Sequence, residues 1–163
     1  YDKDGLIARS GKANKLILNQ ALENFQIPNK KSLDIKDFDI SFVRGLSIED
    51  GAATLTNFTA EIIAEGLINL LEKNKYEYKI GNFPEILVCG GGRNNKYLME
   101  LLIKKINFKE FFSIDRHDID GDFVESQAFA YLAIRSYLEL PISFPETTGC
   151  NKVCTGGKIV KNF

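Results

Sequence analysis

Residues Glu85 to Asn95 read Glu-Ile-Leu-Val-Cys-Gly-Gly-Gly-Arg-Asn-Asn, and no other stretch constrains the fold as tightly. The apolar run Ile86 to Cys89 predicts a buried strand. Three glycines follow, and then Tyr97, Leu98, Leu101, Leu102 and Ile106 recur at helical spacing, so Asn94 and Asn95 open an amphipathic helix. A strand that turns through glycines into a helix leaves unpaired backbone N–H groups at the helix start. Those groups, with the helix dipole, attract phosphate and other anions. Glycines also let a ring or a phosphate approach the main chain. The segment is a nucleotide-site signal centred on Gly90, Gly91, Gly92 and Asn94. Packing alone is the competing reading for the glycines, and a capping role is the competing reading for Asn94. Arg93 is read as a surface residue more readily than as a ligand contact.

The chain has 163 residues, enough for one domain with a sizeable core. It is 44% hydrophobic and 26% charged, the composition of a globular protein. Its net charge of −1 leaves no basic surplus for a nucleic-acid partner. No apolar run reaches the ~18 residues of a membrane span, and no signal peptide is read at the start. The first residue is Tyr1, so the expectation is a chain truncated or excised at that end. An odd count of cysteines (Cys89, Cys150 and Cys154) fits a reducing cytoplasm. Cys150 and Cys154 lack the further ligands of a zinc site. His117, the one histidine, reads as a loop or surface residue.

Four named motifs fail. Asn95 stands where a dinucleotide fingerprint needs its third glycine, although Asp115 mimics that fingerprint's ribose-binding acid. Gly11-Lys12 and Gly157-Lys158 both lack the hydroxyl residue that follows the lysine of a P-loop. Asp118-Ile119-Asp120-Gly121 would need ligands at Arg116 and Gln127 to be a calcium loop.

Along the chain, residues 1–11 read as a loop and Ala13 to Phe25 as a helix. Ile27 to Val43 reads as a surface connection. Ser47 to Asp50 is a capping box in form and opens a long helix to about Glu72, with Ala53, Phe58, Ile62, Ile63, Leu67, Leu70 and Leu71 as its apolar stripe. Gly66 is read as a point of close packing. Lys73 to Pro84 is a charged loop, Phe108 to Ile114 a strand, and Phe123 to Leu138 a helix buried on most sides. Pro141 to Gly149 is a loop, and Lys158 to Val160 a short last strand. Asp122 and Glu125 have capping-box spacing, yet a carboxylate there can also accept hydrogen bonds from sugar hydroxyls.

Several blocks together resemble a known family: Phe25 to Ser32, Glu49 to Ala60, Val88 to Asn94, Gly121 to Ala133 and Leu140 to Gly149. In this order they resemble the C-terminal half of anhydro-N-acetylmuramic acid kinases, over nearly the whole chain. Leu33 and Asp34 depart from the Thr-Gly pair usual there. The resemblance implies an α/β fold, the C-terminal lobe of an actin-like (RNase H-like) ATPase with an incomplete sheet over residues 1–163. It implies ATP with Mg²⁺, and ring opening with 6-phosphorylation of anhydro-N-acetylmuramic acid in the cytoplasm. Gly90, Gly91, Gly92 and Asn94 would lie along the adenosine and α-phosphate, and Glu125 would face the sugar. The catalytic aspartate, the first phosphate loop and the N-terminal lobe would lie before Tyr1, so no catalytic residue is assigned and the 163 residues alone would be inactive. A homodimer stays open for the intact enzyme. The alternatives are a non-catalytic nucleotide-binding or regulatory module, and a Rossmann-type enzyme using Asp115 on a ribose.

Overall fold

The computed structural model describes residues 1–25, 35–74, 85–107 and 111–160. They form a helix-rich mixed α/β arrangement with a two-stranded parallel sheet. The chain divides into two compact units, one drawn from Tyr1–Ile27 and Asp39–Gly121, the other from Pro28–Phe38 and Asp122–Phe163.

The first unit contains α1 (Leu6–Ser10), α2 (Lys15–Asn24), α3 (Ile48–Asn74), β1 (Ile86–Val88), α4 (Lys96–Ile106) and β2 (Phe111–Ser113). β1 and β2 pair in parallel, Ile86 opposite Phe111 and Val88 opposite Ser113, with α4 as the crossover between them. The core behind this βαβ unit is Ala60, Ala64, Leu102, Ile106 and Phe111, with Ile86, Val88, Leu98 and Leu101 packed on it. A second cluster joins Leu18 and Ala21 of α2 to Phe58 of α3. The Phe58 ring meets Phe25 edge-on at 5.7 Å and Phe42 at 5.0 Å. α3 therefore carries both clusters.

The stripe of α3 is smaller than its sequence suggests. Gly51, Ala53, Thr54, Ala60 and Ala64 are buried beside Phe58, whereas Ile63 and Leu70 are exposed. Small side chains let α1 and α4 approach its backbone closely. Gly66 is exposed and has open space around it, so it does not mark close packing. Ser47 does cap α3: its Oγ accepts from the Asp50 N–H at 3.1 Å. The second half of that capping box is absent, because Asp50 instead accepts from the Lys12 N–H at 2.7 Å.

Thr54 is fully buried and polar. Its Oγ1 donates to the Asp50 carbonyl at 2.7 Å and accepts from the Asn14 N–H at 3.0 Å, tying the start of α2 to α3. Thr54→Val keeps the shape but strands the Asn14 N–H. It is expected to cost about 1–3 kcal/mol, read as a lower urea midpoint at unchanged slope. An unmoved midpoint would show that the Asn14 N–H finds another partner.

Residues 1–11 are not all loop. Asp4 and Gly5 turn through positive φ, and α1 follows at Leu6. The Asp2 carboxylate accepts from the N–H groups of Ile7 and Ala8 at 2.8 and 2.9 Å, satisfying donors that a helix start leaves unpaired. α2 begins at Lys15, capped by Asn14. Residues 26–34, 75–84 and 108–110, which carry much of the connection after Ile27, the charged loop and the start of the second strand, lie outside the described residues. Within what is described, α3 runs on to Asn74 and β2 occupies only Phe111–Ser113 before the chain enters a 3₁₀ turn.

The second unit contains α5 (Val124–Tyr137) and the one-turn α6 (Pro145–Thr148), which lies inside the stretch read as a loop. α5 has no buried residue; Phe129, Tyr131, Ile134 and Tyr137 are exposed, so the expectation of burial on most sides is not met. Nor do residues 158–160 form a strand. The antiparallel bridge of this unit is Ser143 with Cys154. Beyond it the Gly156 carbonyl accepts from the Ser136 hydroxyl and Gly157 turns at φ +89°, which takes the chain away from ladder pairing. No described helix is long and apolar enough to cross a membrane.

Candidate functional site

The site is the pair of turns that leave the C-terminal ends of β1 and β2. After Val88 and Cys89, Gly90 adopts φ +78° and ψ 173°, a conformation open to glycine and very costly for other residues. Gly91 to Asn94 then make one 3₁₀ turn, and α4 starts at Lys96. The cap of α4 is Asn95, whose Oδ1 accepts from the Leu98 N–H at 2.9 Å. Asn94 is therefore not the cap. It is exposed, and its side chain makes no hydrogen bond to another described residue, beside the exposed Gly91 and Gly92. A Cβ added at Gly90, Gly91 or Gly92 would meet nothing within 4 Å. Packing in the described residues therefore does not call for glycine at Gly91 or Gly92, and the open side of the loop gives a ligand access to the main chain.

The inward side of the loop is braced. The Gly90 N–H donates to the Gly121 carbonyl at 2.9 Å. The Gly90 carbonyl accepts from the Arg93 N–H at 3.2 Å and from Arg93 Nη1 at 3.1 Å. Arg93 Nε and Nη2 donate to Asp115 at 2.8 and 3.2 Å. The Arg93 side chain is only 8% exposed, so the surface reading of Arg93 does not hold; it is an internal strut. Asp120 lies 3.8 Å from the same guanidinium.

Asp115 stands in the 3₁₀ turn Ile114–His117 that follows β2. Its Oδ1 accepts from Arg93 Nη2 and from the Gly121 N–H, and its Oδ2 from Arg93 Nε and the Ser113 hydroxyl. A carboxylate offers about four acceptor positions, and these four donors fill them. Asp115 therefore has none left for ribose hydroxyls, which removes the residue on which the Rossmann-type reading depended. Arg93 first, then Ser113 and the Gly121 N–H, hold this carboxyl well below the usual carboxylate range. A depressed folded value means that its stabilisation is present at neutral pH and is lost only as pH falls through that lowered value.

The same turn reaches back toward the start of β1. Arg116 pairs with Glu85 at 3.0 Å and lies 3.6 Å over the Phe112 ring, and His117 Nε2 meets Glu85 at 2.8 Å. His117 is thus a surface residue beside the Arg116–Glu85 ion pair, as its sequence context suggests.

Glu125 lies in the second unit, in the first turn of α5. It is exposed, and its side chain has no hydrogen bond or ion pair to another described residue. The N-cap of α5 is Phe123, with no side-chain cap bond, so the Asp122–Glu125 capping box does not form. Cys89, Cys150 and Cys154 are free thiols, and a hydrogen bond from Thr148 leads the causes that lower the Cys150 thiol from its ordinary value.

Residues 1–162 match the family model described as anhydro-N-acetylmuramic acid kinase. The anhydro-N-acetylmuramic acid kinase of Pelagibacter ubique is 48% identical over 167 aligned residues, covering 100% of this chain and 43% of that relative's length. Those of Zymomonas mobilis and Caulobacter vibrioides are 41% and 39% identical, each covering 98% of this chain and 41% of the relative. The chain spans about two-fifths of the length of the curated relatives it matches.

Proposed function

This chain belongs to the anhydro-N-acetylmuramic acid kinase family, and from that premise we propose that it is the ATP-holding portion of such a kinase. The reaction proposed for the whole protein adds water to the anomeric carbon, breaks the 1,6-anhydro bond, and moves the γ-phosphoryl of ATP to the freed 6-oxygen. The products are N-acetylmuramic acid 6-phosphate and ADP. The supporting observation is the loop Gly90 to Asn94, whose outer side is open at all three glycines while its inner side is hydrogen-bonded in place.

In this reading the main chain of Gly90, Gly91 and Gly92 lies against the adenosine and α-phosphate, and the exposed Asn94 amide donates to or accepts from them. Bound with the ATP phosphates, Mg²⁺ would supply charge neutralisation for phosphoryl transfer. The described residues hold no group of three His, Cys, Asp or Glu side chains suited to a metal ion, so none is assigned as its ligand. No residue of this chain is assigned the activation of water. That role belongs to the remainder of a kinase of the relatives' length, as does the second lobe of the actin-like fold proposed here. The proposed setting is the cytoplasm. The test is formation of ADP and of the 6-phosphate from ATP and anhydro-N-acetylmuramic acid by the protein that carries this chain. ATP binding without sugar turnover would favour the non-catalytic nucleotide-binding module.

Glu125 is proposed to bind the sugar. Glu125→Gln keeps the size and removes the charge. It is expected to lower kcat/KM for the anhydro sugar roughly tenfold to a hundredfold, the worth of a hydrogen bond to a charged group, with the KM for ATP and the melting temperature unchanged. Normal sugar kinetics in a folded variant would remove Glu125 from the site.

A further inference from the structure

We propose that Arg93 and Asp115 are positioning residues that shape the glycine loop for nucleotide and touch neither substrate. This rests on the reading that Gly90 to Asn94 hold ATP. Three guanidinium nitrogens of Arg93 are committed inward: Nε and Nη2 to Asp115, and Nη1 to the Gly90 carbonyl. A fork of this shape fixes direction as well as distance, which the single ammonium of lysine does not. The Gly90 peptide is thereby held from two sides. Its carbonyl is drawn to Arg93, and its N–H is drawn to the Gly121 carbonyl. Asp115 closes the ring by accepting from the Gly121 N–H at 3.1 Å. The turn after β1 and the turn after β2 become one hydrogen-bonded body, and the open face of the glycines is the face this ring does not use.

Gly121 is the socket of the ring. A Cβ there would stand 2.4 Å from Arg93 Nε, 2.8 Å from Cζ and 2.9 Å from Cδ. An arginine tip on the surface would swing aside. This one is pinned by Asp115 and nearly buried, so a methyl group at Gly121 must unseat it. Gly121→Ala therefore breaks the brace without changing any charge.

The test uses Gly121→Ala, Asp115→Asn and Arg93→Lys, with Gly91→Val as the probe of the loop itself. ATP affinity is measured by calorimetry, and KM for ATP and for the anhydro sugar by steady-state kinetics. Circular dichroism identifies folded variants. Each brace variant is expected to weaken ATP binding about tenfold or more and to leave the sugar KM within about twofold. Gly121→Ala combined with Asp115→Asn should be little worse than the weaker single variant, since both undo one ring. A purely structural role would shift stability and both KM values together. Folded Gly121→Ala and Asp115→Asn proteins with parental ATP affinity would overturn the brace, as would fully additive losses. If one variant fails to fold, the others still decide. If Gly91→Val binds ATP normally, the loop reading itself falls and the brace with it. If Gly91→Val loses ATP and the brace variants keep it, only the brace falls.

Discussion

Gly91→Val is expected to leave the protein folded and to remove its ATP binding. A Cβ at Gly91 meets nothing within 4 Å, and Gly91 is not among the residues at positive φ. The added methyl groups therefore have room in the protein itself. They occupy the space proposed for the nucleotide. Overpacking a filled site costs about 1–3 kcal/mol and sometimes more, which lowers affinity roughly tenfold to beyond a hundredfold. Calorimetry with ATP, alongside a melting curve, reads both halves of the expectation. A folded variant that binds ATP like the parent would leave these glycines as a turn and nothing else.

Gly11→Ala is expected to cost the most stability of any single methyl group added to the described residues. Gly11 sits at φ −91° and ψ 175°, ordinary extended backbone, so conformation is not what demands glycine there. Contact demands it. A Cβ would lie 2.1 Å from the Glu49 carbonyl oxygen, 2.2 Å from its carbon and 2.7 Å from the Asp50 nitrogen. These are main-chain atoms of the first turn of α3 and have no rotamer to change. Moving residues 11–14 away would break the bonds from Lys12 to Asp50 and from Asn14 to Thr54. The expected loss is about 3 kcal/mol or more, and at roughly 2–4 °C per kcal/mol the melting temperature falls by on the order of 10 °C. A change below about 1 kcal/mol would mean that α1 and α3 separate without penalty.

The legibility of the fold follows from how local each signal is. β1, the glycines and α4 can be read from the sequence because the apolar spacing changes period across Gly90 to Gly92 within a few residues. α3 is legible for the same reason over its long run, with Ser47 as its punctuation. α1 is not: five residues span little more than one helical turn, and its N-terminal donors are satisfied by Asp2 through a left-handed turn at Asp4 and Gly5. The depth of the α3 stripe is misread because large aliphatics dominate a hydrophobic count, while Ala53, Ala60 and Ala64 are the positions buried most deeply among its apolar residues. At the site, the glycine loop is legible and its brace is not. Arg93 and Asp115 are 22 positions apart, and only the parallel pairing of β1 with β2 brings them together. The Asp122–Glu125 spacing, by contrast, matches a cap that the chain does not form, since the N-cap falls one residue later on Phe123 and the helix starts at Val124.

The buried surface of α3 has an entropic consequence. An alanine side chain has no rotamers to lose on folding, whereas a buried leucine or methionine gives up about 0.5–2 kcal/mol of freedom. Ala53, Ala60 and Ala64 thus contribute less transferred apolar area than larger residues, but they also forfeit nothing in side-chain order. The helix on which both core clusters depend therefore meets part of its surroundings through positions that give up no side-chain freedom when the protein folds.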